Sequence, residues 1–498
     1  MTVEPPNLPQ NLYRSNQVRE LDSIAINDLN IPGQALMERA GAAAFSVIGK
    51  CWPDARQIAV ACGGGNNGGD GYVVARLARE AGYKVNVGYL VDPDKLQGDA
   101  RTAADKLIKA GVDPQPFTTN MLENSEVIVD ALLGTGLDRD VAGEMYKVIA
   151  EINAATAAVI SIDIPSGLNA DTGQVMGICV SAHATISFIG LKQGLFTCQG
   201  PGCTGRIFFD DLEVPAEVYA KTPVASHRIS LETQAGYLQP RPRAAHKGHF
   251  GHVLIIGGDY GYSGAPGMAA RAAARVGAGL VSLATRPGHA ASITNICPEV
   301  MAHGIDKPSD LLPLINKASV IAIGPGLGQS EWSKMLFARV LETRQPLIVD
   351  ADALNLLAAE PVRQARWILT PHPGEAARML DTDTKKIQAD RFTAIHTLQE
   401  KYGGIIVLKG SGSLMVDQDS EVYVCDGGNP GMATGGMGDV LTGVLAGLVA
   451  QGLSLSRAAT LGVCLHARAG DKAAAEGGER GLLATDLMPW LRRLVNPV

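Results

Sequence analysis

Short apolar runs of strand type alternate with helical patterns along most of this chain, and glycine-rich turns join many of them. In the first half, QIAVACG and KVNVGYLV flank the helical stretch DGYVVARLAREAG; in the second, GHVLIIGGD precedes GAPGMAARAAARVGAG. Parallel strands need a crossover connection, and a helix between consecutive strands supplies it. The alternation therefore predicts an α/β fold with mostly parallel sheets covered by helices on both faces. In such sheets ligands bind at the carboxyl ends of the strands.

The chain has 498 residues, which is long enough for two or three domains. Between Leu212 and Arg243 the sequence contains several prolines and no sustained periodicity, which indicates a linker with room for one short strand. We expect two α/β domains, at residues 1–222 and 226–498. The first, with strands and helices alternating from QIAVACG onward, is predicted to be a Rossmann-like three-layer unit.

Composition excludes several classes of function. The net charge is −7 and no long cluster of Lys or Arg occurs, so we expect neither nucleic acid nor a membrane surface as a partner. No run of 18 apolar residues is present and the first 17 residues lack an apolar signal core, which favours a soluble, cytoplasmic protein. The eight cysteines form no CxxC pair, which favours free thiols over disulfides or zinc. We expect small-molecule substrates and a homo-oligomer.

The stretch NPGMATGGMGDVLTG in the second half places a glycine-rich turn directly before a helical pattern. We expect Asp439 on the first turn of that helix. Glycine at Gly435, Gly436 and Gly438 lets backbone N–H groups approach a ligand, and a helix N-terminus favours an anion such as a transferring phosphate. A carboxylate beside it is suited to accept a proton from an attacking hydroxyl. The same pattern also fits an ordinary helix start capped by an aspartate.

Three polar clusters follow predicted strands of the first half. CGGGNNGGDGYVVAR is a glycine-rich turn before a helix expected to begin near Asp70, while GTGLDRD follows Asp130 and SGLNAD follows Asp163. Oxygen atoms of Asn67, Asp130 and Ser166 are suited to a hard cation. Asp163 directly follows the apolar run VISI and is suited to proton transfer. The alternative interpretation is that each aspartate only caps the following turn or helix.

The motif GGMGD, with KGSGS at Lys409 to Ser413 and TPHPGE at Thr370 to Glu375, resembles the NAD(P)H-hydrate dehydratase branch of the ribokinase-like superfamily. This resemblance implies a ribokinase-like three-layer fold for residues 226–498, with ADP as co-substrate and Mg²⁺ as cofactor, although the motifs do not separate ADP from ATP. It implies a catalytic role for Asp439, substrate contacts at Ala265, Gly326, His372 and Asp439, and nucleotide contacts at Lys409, Gly410, Ser411, Gly412, Ser413 and Gly438. By itself, a histidine between two prolines is as well explained by a structural role.

The clusters of the first half resemble the NAD(P)H-hydrate epimerase domain. The resemblance implies a potassium ion held by Asn67, Asp130 and Ser166, and a catalytic role for Asp163. It implies contacts to the hydrated dinucleotide at Asn66, Asn67, Gly68, Gly69, Asp70, Gly134, Thr135, Gly136, Leu137, Asp138, Arg139, Asp140 and Asp163. Lys192 in FIGLKQG also matches the family, and it either polarises the substrate or is a solvated lysine at a strand end.

Together the two resemblances cover nearly the whole chain and imply a bifunctional NAD(P)H-hydrate repair enzyme. The first domain would interconvert the R and S hydrates, and the second would dehydrate the S hydrate with ADP, releasing AMP and phosphate. One rival interpretation is a small-molecule kinase fused to a nucleotide-binding domain, and another makes the first half a non-catalytic scaffold.

Two further stretches of the second half carry expectations. The run PLIVDADALN is predicted to be a strand, and Asp350 and Asp352 at its end can take part in magnesium binding directly or through water. TKKIQADRFTAIHTLQEKYG is predicted to be one exposed amphipathic helix whose charges face solvent.

Overall fold

The computed structural model describes residue 2 and residues 7–496 of the chain. The fold divides into two units, Met1–His227 and Arg228–Val498, which are treated separately below. The outermost residues of the two predicted domain ranges, residues 1, 3–6, 497 and 498, lie outside the described residues. Among the described helices, none is both long enough and apolar enough to cross a bilayer.

The first unit is organised around a seven-stranded sheet in which all neighbouring strands are parallel. Its strands are β1 (Asn11–Tyr13), β2 (Gln57–Cys62), β3 (Lys84–Tyr89), β4 (Gln115–Pro116), β5 (Val127–Ala131), β6 (Ala158–Ile162), β7 (Ala184–Phe188), β8 (Leu191–Lys192) and β9 (Arg206–Asp210). The sheet order is β4-β3-β2-β5-β6-β7-β9, and β1 pairs in parallel with β8 outside this sheet.

Helices cover both faces of this sheet. They are α1 (Ser15–Ser23), α2 (Gly33–Cys51), α3 (Asn66–Glu80), α4 (Gly98–Lys109), α5 (Gly143–Ala154) and α6 (Gly200–Thr204). Successive strand residues point to opposite faces. On β2, Ile58 and Val60 join the apolar core of α2, α3 and α4, whereas Ala59 and Ala61 join the core of α5. The predicted three-layer arrangement follows from this double burial.

The second unit contains nine strands that form a continuous order. After β10 (Ser226–Ile229), which spans the boundary between the units, they are β11 (His252–Ile256), β12 (Leu280–Thr285), β13 (Met301–Gly304), β14 (Val320–Ile323), β15 (Leu347–Val349), β16 (Trp367–Leu369), β17 (Ile405–Leu408), β18 (Ser413–Val416) and β19 (Val422–Cys425). The order is β13-β12-β11-β14-β15-β16-β17-β18-β19. Neighbours are parallel as far as β17, and β17, β18 and β19 form an antiparallel meander.

The helices of the second unit again lie on both sides of the sheet. They are α7 (Leu231–Gln234), α8 (Gly264–Arg275), α9 (Pro287–Ile296), α10 (Leu312–Ile315), α11 (Glu331–Leu341), α12 (Ala351–Ala359), α13 (Pro373–Met379), α14 (Thr384–Ala389), α15 (Arg391–Tyr402), α16 (Met437–Ala450), α17 (Leu455–Gly477) and α18 (Leu487–Leu494). Val253 and Ile255 of β11 pack in the core of α8, α16 and α17, while Leu254 and Ile256 are buried on the other face.

Three expectations about local structure were wrong. Helix α3 begins at Asn66 rather than near Asp70, because Gly65 already adopts the extended conformation of an N-cap. The run PLIVDADALN is not all strand, since α12 begins at Ala351. The predicted single exposed helix is two helices, because the Asp390 side chain accepts hydrogen bonds from the backbone N–H and hydroxyl of Thr393 and starts α15.

Candidate active sites

In the second unit, the glycine-rich turn ends at the start of α16. Gly436 is the N-cap residue, and its φ of 91° lies in the left-handed region that favours glycine. A Cβ atom at this position would also lie 2.7 Å from Cε of Met268. The turn therefore needs glycine both for its conformation and for space. The first N–H groups of α16 have no partner within the helix, so this end of α16 is suited to bind an anion.

Asp439 lies in the first turn of α16, as predicted from the helical pattern. Burial has the largest effect on its carboxyl group, and the nearby carboxylate of Asp350 acts in the same direction. Together they raise the pKa of Asp439 to about 7, although Lys409 opposes the shift. A carboxylate with a pKa near neutrality is an effective proton acceptor, because it is both partly ionised and basic.

A buried ion-pair network surrounds Lys409 next to this turn. Its Nζ lies 2.7 Å from Oδ1 of Asp350 and 3.7 Å from Oε2 of Glu375. The hydroxyl of Thr442 donates to Oδ2 of Asp350 at 2.7 Å. Burial opposes the charge of Lys409, but the two carboxylates outweigh it and raise the pKa of Lys409. A Cβ atom on Gly438 would lie 3.2 Å from the lysine Nζ, so the ammonium group is close to the helix start.

The KGSGS turn that begins at Lys409 is supported by a buried arginine that the sequence reasoning assigned to solvent. Arg391, at the start of α15, is fully buried and donates through Nη2 to the carbonyl oxygens of Leu408 at 3.0 Å, Lys409 at 3.3 Å and Gly412 at 3.3 Å. A Cβ atom on Gly410 would lie 2.3 Å from Nη1 of Arg391. The arginine therefore fixes the backbone of the predicted nucleotide contacts. The sequence prediction missed this role because Arg391 lies in a stretch rich in charged residues, which was interpreted as an exposed helix.

His372 starts helix α13. Its Nδ1 accepts hydrogen bonds from the backbone N–H groups of Gly374 at 3.0 Å and Glu375 at 3.3 Å. The backbone N–H of His372 donates to Oε2 of Glu375 at 2.8 Å. Burial has the largest effect in lowering the pKa of His372. The side chain is half exposed, with Nε2 3.4 Å from Oε1 of Glu375. Nδ1 therefore has a structural role at the start of α13, whereas Nε2 lies beside Glu375 of the Lys409 network.

Two other predicted substrate contacts come together after β11 and β14. Gly326 has a φ of 55°, and a Cβ atom there would lie 2.7 Å from the carbonyl oxygen of Tyr262 and 3.3 Å from Cβ of Ala265. The turn before Ala265 is held by Asp259, whose backbone N–H donates to the Gly326 carbonyl at 2.7 Å and whose carboxylate pairs with Arg286 at 2.7 Å. Ala265 and Gly326 therefore belong to one surface.

In the first unit, a cavity of about 660 Å³ lies where β2, β5 and β6 end. It is lined by most of the predicted substrate contacts, namely Asn66, Asn67, Asp70, Gly134, Thr135, Gly136, Leu137, Asp138, Arg139 and Asp163. Gly68, Gly69 and Asp140 are not among the lining residues. A Cβ atom on Gly68 would lie 2.1 Å from the carbonyl oxygen of Gly63, and one on Gly69 would lie 2.6 Å from Cε of Met37. These two glycines are therefore needed for close packing.

Asp163 follows β6 in a strained conformation and pairs with Lys192. Its φ is 67°, which is uncommon for a residue other than glycine and is often found at functional sites. Lys192 is fully buried rather than solvated. Its ammonium group donates to Oδ1 of Asp163, to the hydroxyl of Ser187 at 3.0 Å and to the carbonyl of Phe188 at 3.3 Å. Of the two alternatives given for Lys192, the solvated lysine is therefore wrong.

Asp130 and Ser166 lie together beneath the backbone that leads to Gly134. The carboxylate of Asp130 is fully buried and accepts hydrogen bonds from the hydroxyl groups of Ser161 at 2.7 Å and Ser166 at 2.5 Å. Burial has the largest effect and raises the pKa of Asp130. Asn67 is 8% exposed, and neither atom of its side-chain amide has a hydrogen-bond partner among the residues that the structure describes.

Helix α1 adds a residue that the sequence reasoning did not select. Asp22 lines the same cavity as Asp70 and Asp163, yet it lies in a helix with no glycine-rich turn or strand end to attract attention. Only its position on the apolar face of α1, where Val18 and Leu21 are buried, distinguishes it in the sequence.

Comparisons with known proteins cover both units. A family model described as NAD(P)H-hydrate dehydratase matches residues 253–493, and one described as YjeF-related protein N-terminus matches residues 33–194. The bifunctional NAD(P)H-hydrate repair enzyme of Coxiella burnetii is 50% identical over 98% of this chain and 99% of its own length. That of Escherichia coli is 41% identical over 100% of this chain and 96% of its own.

A solved structure agrees with the fold of the second unit. A protein of Streptococcus mutans whose title calls it hypothetical is 33% identical, covers 54% of this chain and 98% of its own, and has a TM-score of 0.50. The predicted α/β classes, Rossmann-like and ribokinase-like, are confirmed by the sheets and by the two family models. Because both family models match in order and two relatives align over nearly their whole lengths, the chain belongs to the family of bifunctional NAD(P)H-hydrate repair enzymes.

Proposed function

We propose that the second unit dehydrates the S hydrate of NADH and NADPH with ADP as phosphate donor, and that the first unit converts the R hydrate into the S hydrate. We assign these activities to residues 226–498 and 1–222. The observation that carries the proposal is the Asp439 carboxyl group, whose pKa is raised to about 7 at the N-terminus of α16, beside a buried lysine.

The dehydration is explained by making a good leaving group. Water added across the nicotinamide ring leaves a hydroxyl group on the carbon bonded to the ring nitrogen, and hydroxide leaves poorly. Asp439 accepts the proton of the substrate hydroxyl group while the hydroxyl oxygen attacks the terminal phosphorus of ADP, which releases AMP. The phosphate then departs with the electrons of the C–O bond, loss of a ring proton restores the double bond, and the products are NAD(P)H, AMP and phosphate.

Lys409 and the start of α16 supply the positive potential that this transfer needs. The N–H groups of the first helical turn and the ammonium group of Lys409 face the same small region, because a Cβ on Gly438 would lie 3.2 Å from Nζ. The carboxylates of Asp350 and Glu375 keep Lys409 charged. A preorganised cation and N–H groups stabilise the charge that develops on a transferring phosphoryl group.

The described side chains do not form a magnesium site by themselves. Both carboxylate oxygens of Asp350 are engaged, one by Lys409 and the other by Thr442, and Oδ2 of Asp352 accepts from the N–H of Gly328 at 2.8 Å. Among the described residues, no group of three or more His, Cys, Asp or Glu side chains is placed to hold a metal ion. We therefore assign Mg²⁺ no protein ligands and derive no step through it.

In the first unit, Asn67, Asp130 and Ser166 fit a potassium ion in the chemistry of their oxygen atoms, and among the described residues Asn67 is the one of the three whose side chain has no hydrogen-bond partner. The amide oxygen of Asn67 lacks a partner, and no described cationic side chain forms an ion pair with the buried charge of Asp130. A monovalent cation held by these oxygens would offset that charge and order the backbone near Gly134. Asp163, oriented by Lys192, lies at the cavity and is suited to move a proton to or from the substrate.

The test of the proposed function uses the full-length protein with a mixture of R and S NADH hydrates, ADP and Mg²⁺. We expect complete return of NADH absorbance together with one AMP and one phosphate for each NADH. A stable phosphorylated hydrate with no return of absorbance would instead support the small-molecule kinase. Replacing ADP by ATP in a parallel reaction identifies the preferred donor.

A second experiment tests the potassium ion. Exchanging potassium for choline at equal ionic strength should slow epimerisation several-fold, since choline is too large for a site formed by three small side chains. Asn67→Ala should be slow in both salts and lose most of this difference. An unchanged rate of epimerisation in choline would contradict the assignment of Asn67, Asp130 and Ser166 to potassium.

A further inference from the structure

Asp22 lines the cavity of the first unit, and no side chain in the described part of the chain pairs with it. It lies on α1, one helical turn from Val18 and Ile26, which line the same cavity. Its carboxyl group takes part in no hydrogen bond or ion pair with the residues that the structure describes. A partly buried aspartate normally occurs with such partners, because burial of an unpaired charge is unfavourable. Its presence at this position therefore requires another explanation.

The groups that face Asp22 come from four other parts of the first unit. They are Asp70 on α3, Asp163 after β6, Lys192 on β8 and Tyr219, whose hydroxyl group donates to the carbonyl of Ile189 at 2.9 Å. Lys192 is the one cation of this group, and it is already paired with Asp163. This group therefore contains three carboxyl groups and one cation, an excess of negative charge that favours a proton on one of the carboxyl groups.

Burial affects both Asp22 and Asp70. It has the largest effect on Asp22 and raises its pKa to about 6, while Lys192 lowers it and Asp163 raises it. Burial, Asp163 and Asp22 raise the pKa of Asp70 well above its usual value, and Lys192 opposes them. Asp22 can gain and lose its proton near neutrality, which is the property required of an acid that works in every turnover.

The same cavity also contains an unsatisfied polar group that points to a ligand. Asn67 lines it, is more than nine-tenths buried, and has no partner for its amide among the described residues. Buried amides are nearly always hydrogen-bonded. A potassium ion would satisfy only the amide oxygen, so the amide NH₂ group, which also lacks a partner among the described residues, indicates that a polar molecule completes the site. The carboxyl groups and the amide therefore surround a space that is built to hold a polar molecule.

We propose that Asp22 is a further catalytic residue of the epimerase site, the acid that protonates the hydroxyl group as it leaves one face of the substrate ring. This inference rests on the epimerase function proposed for the first unit. The substrate class is a cyclic amine that carries a hydroxyl group on the carbon next to nitrogen. Asp163, held by Lys192, is the base on the other side of the exchange.

The exchange proceeds by loss of water from one face of the ring and addition of water to the other. The nitrogen lone pair forms a C=N bond while the C–O bond breaks, and the leaving oxygen takes the proton of Asp22 and departs as water. Water then adds to the opposite face of the same carbon, the C=N electrons return to nitrogen, and Asp163 takes the proton. The pair of carboxyl groups holds one proton before and after the exchange, and solvent returns it from Asp163 to Asp22. In the reverse direction the two residues exchange roles.

The experiment uses the full-length protein without nucleotide, so that the dehydratase is silent. Interconversion of separated R and S NADH hydrates is followed by chromatography from pH 5 to 9, with the spontaneous rate subtracted. We expect Asp22→Asn to lower the enzymatic rate by about 10²- to 10⁴-fold, the range for loss of a general acid. The wild-type rate should fall as the pH rises above about 6, because Asp22 loses its proton, and the variant should lack this fall.

Two further variants separate catalysis from structure. Asp22→Glu keeps a carboxylic acid and should recover part of the rate together with the decline at high pH. Glu20→Gln removes an exposed carboxylate from the same helix and should match the wild type. Asp22→Asn should melt no lower than the wild type at pH 8, because it removes an unpaired buried charge.

Three results would overturn the inference: a rate for Asp22→Asn within threefold of wild type, an Asp22→Asn rate that is low but keeps the wild-type pH profile, or a lower melting temperature for Asp22→Asn. A wild-type protein that does not interconvert the epimers at any pH would instead reject the epimerase function itself. The two failures are therefore distinguishable.

Discussion

Asp439 and Lys409 show how burial gives two neighbouring ionisable side chains opposite roles. Both are removed from water, which disfavours charge on either group. Lys409 has two carboxylates close by and keeps its charge, whereas Asp439 has like charges nearby and its pKa rises to about 7. A fixed cation and a proton acceptor therefore arise from the same buried cluster.

The first prediction concerns Asp439→Asn. The substitution keeps the size of the side chain and removes the base, so dehydration of the S hydrate should fall by about 10²- to 10⁴-fold. In the wild type, the rate of dehydration should rise with pH as Asp439 loses its proton around pH 7. Steady-state rates from pH 5.5 to 8.5 test both statements, with epimerisation as the control that should not change. Dehydration within a few-fold of wild type would remove Asp439 from the mechanism.

The same residue predicts a dependence of stability on pH. Its folded pKa of about 7 lies above the ordinary value of 3.8, so the folded state binds more protons than the unfolded state between these two values. The contribution of Asp439 to stability is therefore lost as the pH rises through this window. Asp439→Asn should melt at a higher temperature than wild type at pH 8, and the difference should shrink as the pH is lowered toward 5. A variant that melts lower at pH 8 would contradict the raised pKa.

At the scale of elements, the boundary between α14 and α15 explains how the KGSGS turn is held. Asp390 ends the first helix and starts the second, which directs Arg391 inward instead of along an exposed helix face. Arg391 then joins the start of α15 to three carbonyl groups around the KGSGS turn. Because these contacts are with backbone carbonyl oxygens, Arg391 orders the backbone of this turn.

This geometry predicts the effect of Arg391→Met. The substitution leaves three buried carbonyl groups without their donor, each an unfavourable change of about 1 to 3 kcal/mol. We expect a lower melting temperature and a KM for ADP raised at least tenfold, with a smaller change in kcat because Asp439 is untouched. Arg391→Lys should recover part of the affinity. Lys386→Met removes an exposed cation from α14 and is the matched control. A wild-type KM for ADP in Arg391→Met would mean that the turn does not depend on this residue.

At the scale of the whole molecule, the two sites belong to different units with separate cores. A change that removes one activity should therefore leave the other in place. The requirement for two activities has a stereochemical reason: a site that holds one hydroxyl group beside Asp439 misplaces that of the other epimer, and an error of about 1 Å can cost about a hundredfold in rate.

Asp163→Asn in the full-length protein tests this separation. Asparagine keeps an acceptor for the buried ammonium group of Lys192, whereas alanine would leave that charge unpaired. With a mixed hydrate and ADP, we expect a fast phase of NADH recovery from the S hydrate, followed by a stall at the spontaneous rate of epimerisation. Wild-type protein added after the stall should complete the reaction. Complete fast recovery by the variant alone would contradict the role of Asp163.

Much of this organisation could be predicted from the sequence. Alternating strand and helix patterns determine a covered parallel sheet, because an apolar run with helices on either side can be buried on both faces. The glycine turn before DVLTGVLAGL places Asp439 at a helix start, because the apolar spacing and the glycines are properties of a local segment. These predictions use residues that are close together in the chain.

Only the tertiary structure decided which distant residues meet. Arg391 was assigned to solvent because a charged helical stretch normally faces water, and its burial depends on carbonyl groups of a turn 17 to 21 residues later. Lys192 is buried because Asp163, 29 residues earlier, neutralises it. Asp22 has no glycine-rich turn or strand end beside it in the sequence; burial is the largest cause of its raised pKa, and Asp163 at the end of β6 adds to it while Lys192 on β8 opposes it. The sequence by itself determined the elements and the ends of strands that bear polar residues. Long-range packing decided the charge state of those residues, because burial and neighbouring charges set a pKa and both are properties of the folded chain.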